Sequence, residues 1–122
     1  MTPVSPIQHP DAPELDELCQ KLAAMADETD RAGTWPAEQL RLCGEYGVFR
    51  WFMPATWGGY DWDETYVTKG YLRLAAACLT TTFIITQRTG ACRRLVTAVN
   101  NRPLQERLLP ELTEGTTFAT VG

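Results

Sequence analysis

Histidine is nearly absent from this chain of 122 residues: His9 is the only one, and it sits in a proline-rich stretch. Cysteines stand at positions 19, 43, 78 and 92, and no two form a CxxC pair. The usual structural zinc patterns and a histidine-based triad are therefore not expected. Each cysteine falls in a helical stretch and reads as a small buried hydrophobe in a reducing compartment. Basic clusters are missing too. Lys and Arg number 11 against 15 acidic residues, a formal net charge of −4. The one basic doublet, Arg93-Arg94, points its two members about 100° apart on a helix. It reads as solvated helix surface, and the clustered cations of a nucleic-acid groove are absent. No apolar run reaches the ~18 residues of a membrane span. The N-terminus has neither the cationic start nor the apolar core of a secretion signal. A cytoplasmic protein without a membrane span is expected.

What is present reads as helix. Hydrophobic residues make up 44% and charged residues 21%, the balance of a folded globular domain. Residues 1–12, rich in proline, read as a flexible arm. Asp11 is placed to cap a first helix over roughly 13–32, with Pro13 in its first turn. Leu15, Leu18, Cys19, Leu22, Ala23 and Ala26 recur at helical spacing, and Gly33 stops the run. Pro36 opens a second helix, capped by Thr34 or Trp35, and Gly47 closes it. Its apolar face is Leu40, Cys43 and Tyr46.

A non-helical apolar run, Val48 to Met53, leads through Pro54 to Trp57-Gly58-Gly59-Tyr60. The paired glycines suit a tight turn pinned by aromatics, or a close backbone approach to a ligand. Asp61, Asp63 and Glu64 gather nearby. Asp61 with Glu64 resembles a capping box, and acid–base or metal chemistry is the other use of such a cluster. Tyr66, Val67, Tyr71, Leu74, Ala75 and Cys78 form the stripe of a third helix. Thr80-Thr81-Thr82 interrupts it and starts a fourth, which runs to about Val99. Pro103 starts a short fifth helix that Pro110 ends. Thr116–Val121 turns β-branched and aromatic, as a strand would, and has no evident partner in the chain.

The order of these local features resembles the N-terminal domain of acyl-CoA dehydrogenases. The likeness is carried by Gly33-Thr34-Trp35-Pro36, by Cys43-Gly44-Glu45-Tyr46-Gly47-Val48, by Met53-Pro54 with Trp57-Gly58-Gly59, and by Leu104-Gln105-Glu106-Arg107-Leu108-Leu109-Pro110-Glu111-Leu112 with Gly115. It spans residues 14–122. Two departures stand out: Ala55-Thr56 where the family has an acidic residue after proline, and the threonine-rich junction of the third and fourth helices.

The resemblance implies an all-α orthogonal bundle of about five helices over 13–115, with 116–122 as the first strand of a β-domain that lies outside the chain. It implies a flavoenzyme that removes hydrogens from the α and β carbons of an acyl-CoA thioester. FAD would be held mostly by the middle and C-terminal domains, and the catalytic glutamate would sit in the C-terminal one. The chain alone would then be inactive and bind FAD poorly, and the full-length enzyme would be a homo-oligomer. The family's fourth helix forms one wall of the acyl pocket, which carries over to Thr82, Phe83, Thr86, Gln87 and Gly90. The residues alone also allow Phe83, Ile84 and Ile85 to be core and the threonines to cap and solvate the helix. A related flavin monooxygenase or nitroalkane-oxidase-like enzyme would share this domain. A non-enzymatic helical interaction module is the remaining alternative.

Overall fold

The computed structural model describes residues 5–120. Five helices follow one another: α1 (Pro13–Ala32), α2 (Ala37–Glu45), α3 (Glu64–Ala77), α4 (Leu79–Thr97) and α5 (Arg102–Glu114). Two 3₁₀ turns, Val48–Arg50 and Ala55–Trp57, occupy the stretch between α2 and α3. α3 packs on both α1 and α4, and α5 closes against α4 and the first 3₁₀ turn. No strand occurs among the described residues.

The helices arise as the patterning predicts, with local exceptions. Leu15, Leu18 and Leu22 put the buried face of α1 into the core. Asp11 does not cap it. The N-cap is Ala12, whose side chain offers no acceptor. α2 likewise begins without a side-chain cap, at Pro36 rather than at Thr34 or Trp35. α3 is capped by Asp63, whose carboxylate accepts from the Tyr66 N–H at 2.8 Å. Asp61 turns the other way and accepts from Ala55 N–H, its backbone held at φ 54°. α4 begins at Leu79, with only Cys78 between it and the end of α3, so the threonines form its first turn rather than a gap. α5 continues through Pro110 to Glu114. Pro110 is exposed, so the Glu106 carbonyl deprived of its helical partner can turn to water.

Residues 5–12, read from sequence as part of a flexible arm, make contacts with the bundle. Ile7 is 0% exposed, and its N–H donates to the Tyr46 carbonyl at 2.8 Å. The Arg73 guanidinium donates to the Pro10 carbonyl at 2.9 Å. His9 Nδ1 accepts from Asp11 N–H, so the neutral ring carries its proton on Nε2 and donates to the Tyr66 hydroxyl at 3.1 Å. Positions 1–4, the rest of that arm, lie outside the described residues. The prediction that follows is direct: Ile7→Ala should destabilise the chain by about 2–4 kcal/mol, the cost of a core truncation, when chemical denaturation of the two proteins is compared. A mobile arm would leave the midpoint unchanged.

The core has an aromatic centre. The Trp51 indole stacks on Trp62 with centroids 4.6 Å apart and an interplanar angle of 12°, and Tyr71 lies 5.8 Å from Trp51. The chain between them closes on itself: Tyr60, Asp61 and Trp62 N–H groups donate to the carbonyls of Arg50, Met53 and Trp51. The Trp57–Tyr60 loop is thus a packed turn. At the other end, Thr116 N–H returns to the Glu111 carbonyl at 3.0 Å. Phe118 then lies edge-on to both Phe49 and Trp35, at 6.1 and 6.0 Å. Through Thr120 this segment pairs with no strand, and Val121 lies outside the described residues.

Candidate functional site

α4 carries two faces that differ in kind. Thr81, Thr82, Ile85, Arg88, Thr89 and Cys92 are buried. Thr86, Gln87 and Gly90 stand three, four and seven positions on from Phe83 and so share the opposite face with it. Phe83 is 63% exposed and Leu79, one turn earlier, 70%. Gln87 and Gly90 are half-buried and Thr86 is exposed. Four of the five residues expected to line a pocket therefore form one strip, apolar at its start and uncharged polar beyond.

Thr82 is the fifth, and it does not join them. It is buried, and its hydroxyl donates to the Cys78 carbonyl at 2.9 Å. A 100° step along the helix separates it from Phe83. The competing reading of Phe83 as core fails for the same geometric reason, while Ile85 is fully buried.

Threonine hydroxyls along α4 are turned onto its own backbone. Thr86 donates to the Phe83 carbonyl at 2.6 Å and Thr89 to the Ile85 carbonyl at 3.0 Å. Such back-bonding spends the hydroxyl proton and leaves the oxygen only as an acceptor. Tyr71 braces the inner face, its hydroxyl 2.6 Å from Thr89 Oγ1. Burial pushes the Tyr71 phenol up, against a smaller opposing effect of Thr89.

The cations of α4 have separate fates. Arg93 pairs with Glu64 at 2.7 Å and lies over the Phe52 ring, and both members of the doublet are exposed, as solvated helix surface. Arg88 is 0% exposed. Burial lowers its pKa, yet a guanidinium stays protonated in any folded protein. Sequence reading passed over Arg88. The available signal was its place in the inward series Ile85, Arg88, Thr89, Cys92, where a charge is out of character.

The carboxylates near the Gly58-Gly59 loop serve structure: Asp61 and Asp63 cap backbone amides and Glu64 holds Arg93. Among the described residues no group of His, Cys, Asp or Glu is arranged to hold a metal, and no helix is long and apolar enough to cross a membrane.

All four thiols are free, with Cys43, Cys78 and Cys92 buried and Cys19 half-buried. Burial drives the Cys43 thiol far above its ordinary value of 9.0, and Cys19 and Cys92 also rise by burial. A thiol raised in the folded state keeps its full contribution to stability below its unfolded pKa and loses it as pH climbs beyond. Stability should therefore be flat at neutral pH and fall above about pH 9. Denaturation midpoints across that range check it, and cysteine-to-alanine change at position 43 should flatten the decline.

The arrangement defines a class: a helical bundle with a filled core and, on α4, a strip with Leu79 and Phe83 exposed. The description "Acyl-CoA dehydrogenase, N-terminal domain" matches residues 14–116, and the chain belongs to that family. It is also similar to the flavin-dependent monooxygenase, oxygenase subunit HsaA, of Rhodococcus jostii (strain RHA1), 31% identical over 70 residues. That stretch is 57% of this chain and 18% of the relative, so the chain spans a minor part of the relative's length. No solved structure matches the chain.

Proposed function

We propose that this chain is the helical first domain of an FAD-dependent, acyl-CoA dehydrogenase-like oxidoreductase, and that Phe83, Thr86, Gln87 and Gly90 form one wall of its acyl and flavin pocket. The observation that carries the reading is the outward strip on α4 in a chain of this family. Phe83 and Leu79 are exposed one turn apart on the same face, and adjoining exposed apolar side chains, unlike scattered ones, mark a surface that something else covers. Ligand pockets combine apolar lining with a few polar groups that fix orientation, and this strip offers Phe83 for an acyl chain and the Gln87 amide for hydrogen bonding. Arg88 is buried and Arg93 is paired, so the centre of the strip suits the uncharged parts of a ligand. FAD, when bound in the complete enzyme, would supply the hydride acceptor. The residues here would position and exclude water, and a base from another domain would take the α-proton. The segment from Thr116 would lead into a β-domain, and the assembled enzyme would be a homo-oligomer in the cytoplasm.

The HsaA likeness favours a second reading, a flavin monooxygenase, on the same domain. One experiment separates the two. The natural gene product carrying this segment is purified with its flavin, and saturated acyl-CoA thioesters are added without oxygen. Bleaching of the flavin by a thioester supports the dehydrogenase. Inertness to every thioester, together with oxygen-dependent hydroxylation of an organic substrate when reduced flavin is supplied, supports the monooxygenase. A product without flavin overturns both.

A further inference from the structure

Arg88 is the most unusual side chain in the bundle. It is 0% exposed, forms no ion pair with a carboxylate among the described residues, and leaves Nε and one terminal nitrogen, Nη1, without hydrogen-bond partners. Its other terminal nitrogen, Nη2, donates to the Leu112 carbonyl, and at 3.4 Å to the Phe49 carbonyl. Leu112 lies in the last turn of α5, where carbonyls lack helical donors. Both Gly115 and Thr116 N–H groups turn back to the Glu111 carbonyl instead, which leaves the Leu112 carbonyl to Arg88. The cation thus sits at the negative end of the α5 dipole, and that end supplies the counter-charge no carboxylate provides.

The same guanidinium lies 4.2 Å from the centroid of the Phe49 ring. Phe49 touches Phe118, and Phe118 touches Trp35, which is 59% exposed. Gly115, at φ 88°, is needed where it stands: a Cβ there would come within 2.8 Å of the Phe49 ring. An open pocket of about 240 Å³ lies beside these rings, and Trp35, Phe49, Gly115 and Phe118 line it. One run of contacts therefore joins the inner face of α4 to the segment that follows α5.

We propose that Arg88 is a positioning residue that couples α4 to the segment Gly115–Phe118, so that a displacement of the α4 strip is passed to the chain beyond the bundle. The inference rests on α4 as the pocket wall for its functional meaning. The coupling itself exists without a ligand and is tested without one, so its failure is distinguishable from failure of the pocket reading.

Removing a buried unpaired charge for an apolar side chain of similar shape is often neutral or favourable. Arg88→Met also leaves the Leu112 carbonyl without its donor, so it should fold with a modestly lowered denaturation midpoint, while the coupling is lost. Backbone amide exchange of the chain is the measurement. In Arg88→Met the amides of Thr113–Thr116 and of Gln87–Ala91 should exchange at least about tenfold faster, with those of Leu18–Leu22 unchanged. Phe118→Ala, at the far end of the run, should also speed exchange at Gln87–Ala91, and should add nothing there once Arg88 is methionine. The proposal is overturned if Phe118→Ala frees the segment after α5 without any change in α4. It is equally overturned if Arg88→Met speeds α1 as much as α4. If Arg88→Met does not fold, the Phe118→Ala comparison alone decides.

Discussion

Gly59→Ala is expected to lower stability by about 3 kcal/mol or more, beyond the usual range for overpacking by one methyl. A Cβ at this position would collide with the backbone carbonyl of Met53 and with its side chain. Neither can give way. Met53 is fully buried, and its carbonyl holds the Asp61 N–H at 3.0 Å. Gly59 itself donates to the Pro54 carbonyl at 3.0 Å, so the loop cannot swing out without breaking its own closure. Adjacent Gly58, at φ 87°, is the contrast. Alanine there meets the ordinary left-handed penalty of about 1 kcal/mol. Thermal unfolding of the two variants should show a drop of about 10 °C or more for position 59 and a few degrees for position 58. Equal drops would mean that the loop is a flexible turn and not a packed one.

Trp51→Ala is the second large loss, about 3–5 kcal/mol. The indole is fully buried between Trp62, Tyr71 and the α3 backbone at Gly70. Gly70 sharpens the prediction, since a Cβ there would enter the Trp51 ring. Gly70→Ala should therefore destabilise the parent protein. In a Trp51→Ala background the clash is gone and alanine's helix preference of about 1 kcal/mol remains. The same substitution should become neutral or stabilising there, a reversal of sign that a double-mutant cycle reads from denaturation midpoints. Persistent destabilisation in the double variant would contradict the packing described.

These two sites show what patterning conveys and what it does not. Helix periodicity and glycine stops located α1 and α2 because spacing and backbone freedom are local properties, visible in Leu15, Leu18, Leu22, Gly33 and Gly47. The family likeness added the order of the elements. The reach of Ile7 into the core was not legible. It depends on a cleft formed by residues some forty positions away, and a proline-rich stretch gives no period to follow. Asp61 and Asp63 are chemically equivalent caps, and only the closure of the 50–62 loop decides which one α3 receives. Pro110 reads as a terminator, yet on an exposed helix face its missing N–H is tolerable.

In the candidate site, Phe83, Thr86, Gln87 and Gly90 share a face as their spacing requires. Thr82 came with the other four from the family's fourth helix, and in the structure it lies about 100° round the helix from Phe83, on the buried face. Arg88 was overlooked because its partners are carbonyls, which no side-chain motif records.

The most direct test of the pocket reading is Thr86→Trp in the flavin-containing product that carries this segment. Thr86 is exposed on the bundle, so a larger side chain leaves the domain core intact but projects into whatever the strip faces. If α4 walls the pocket, flavin bleaching by the preferred acyl-CoA thioester should fall at least about tenfold while flavin content and thermal stability hold. Undiminished bleaching in the tryptophan variant would place the pocket elsewhere.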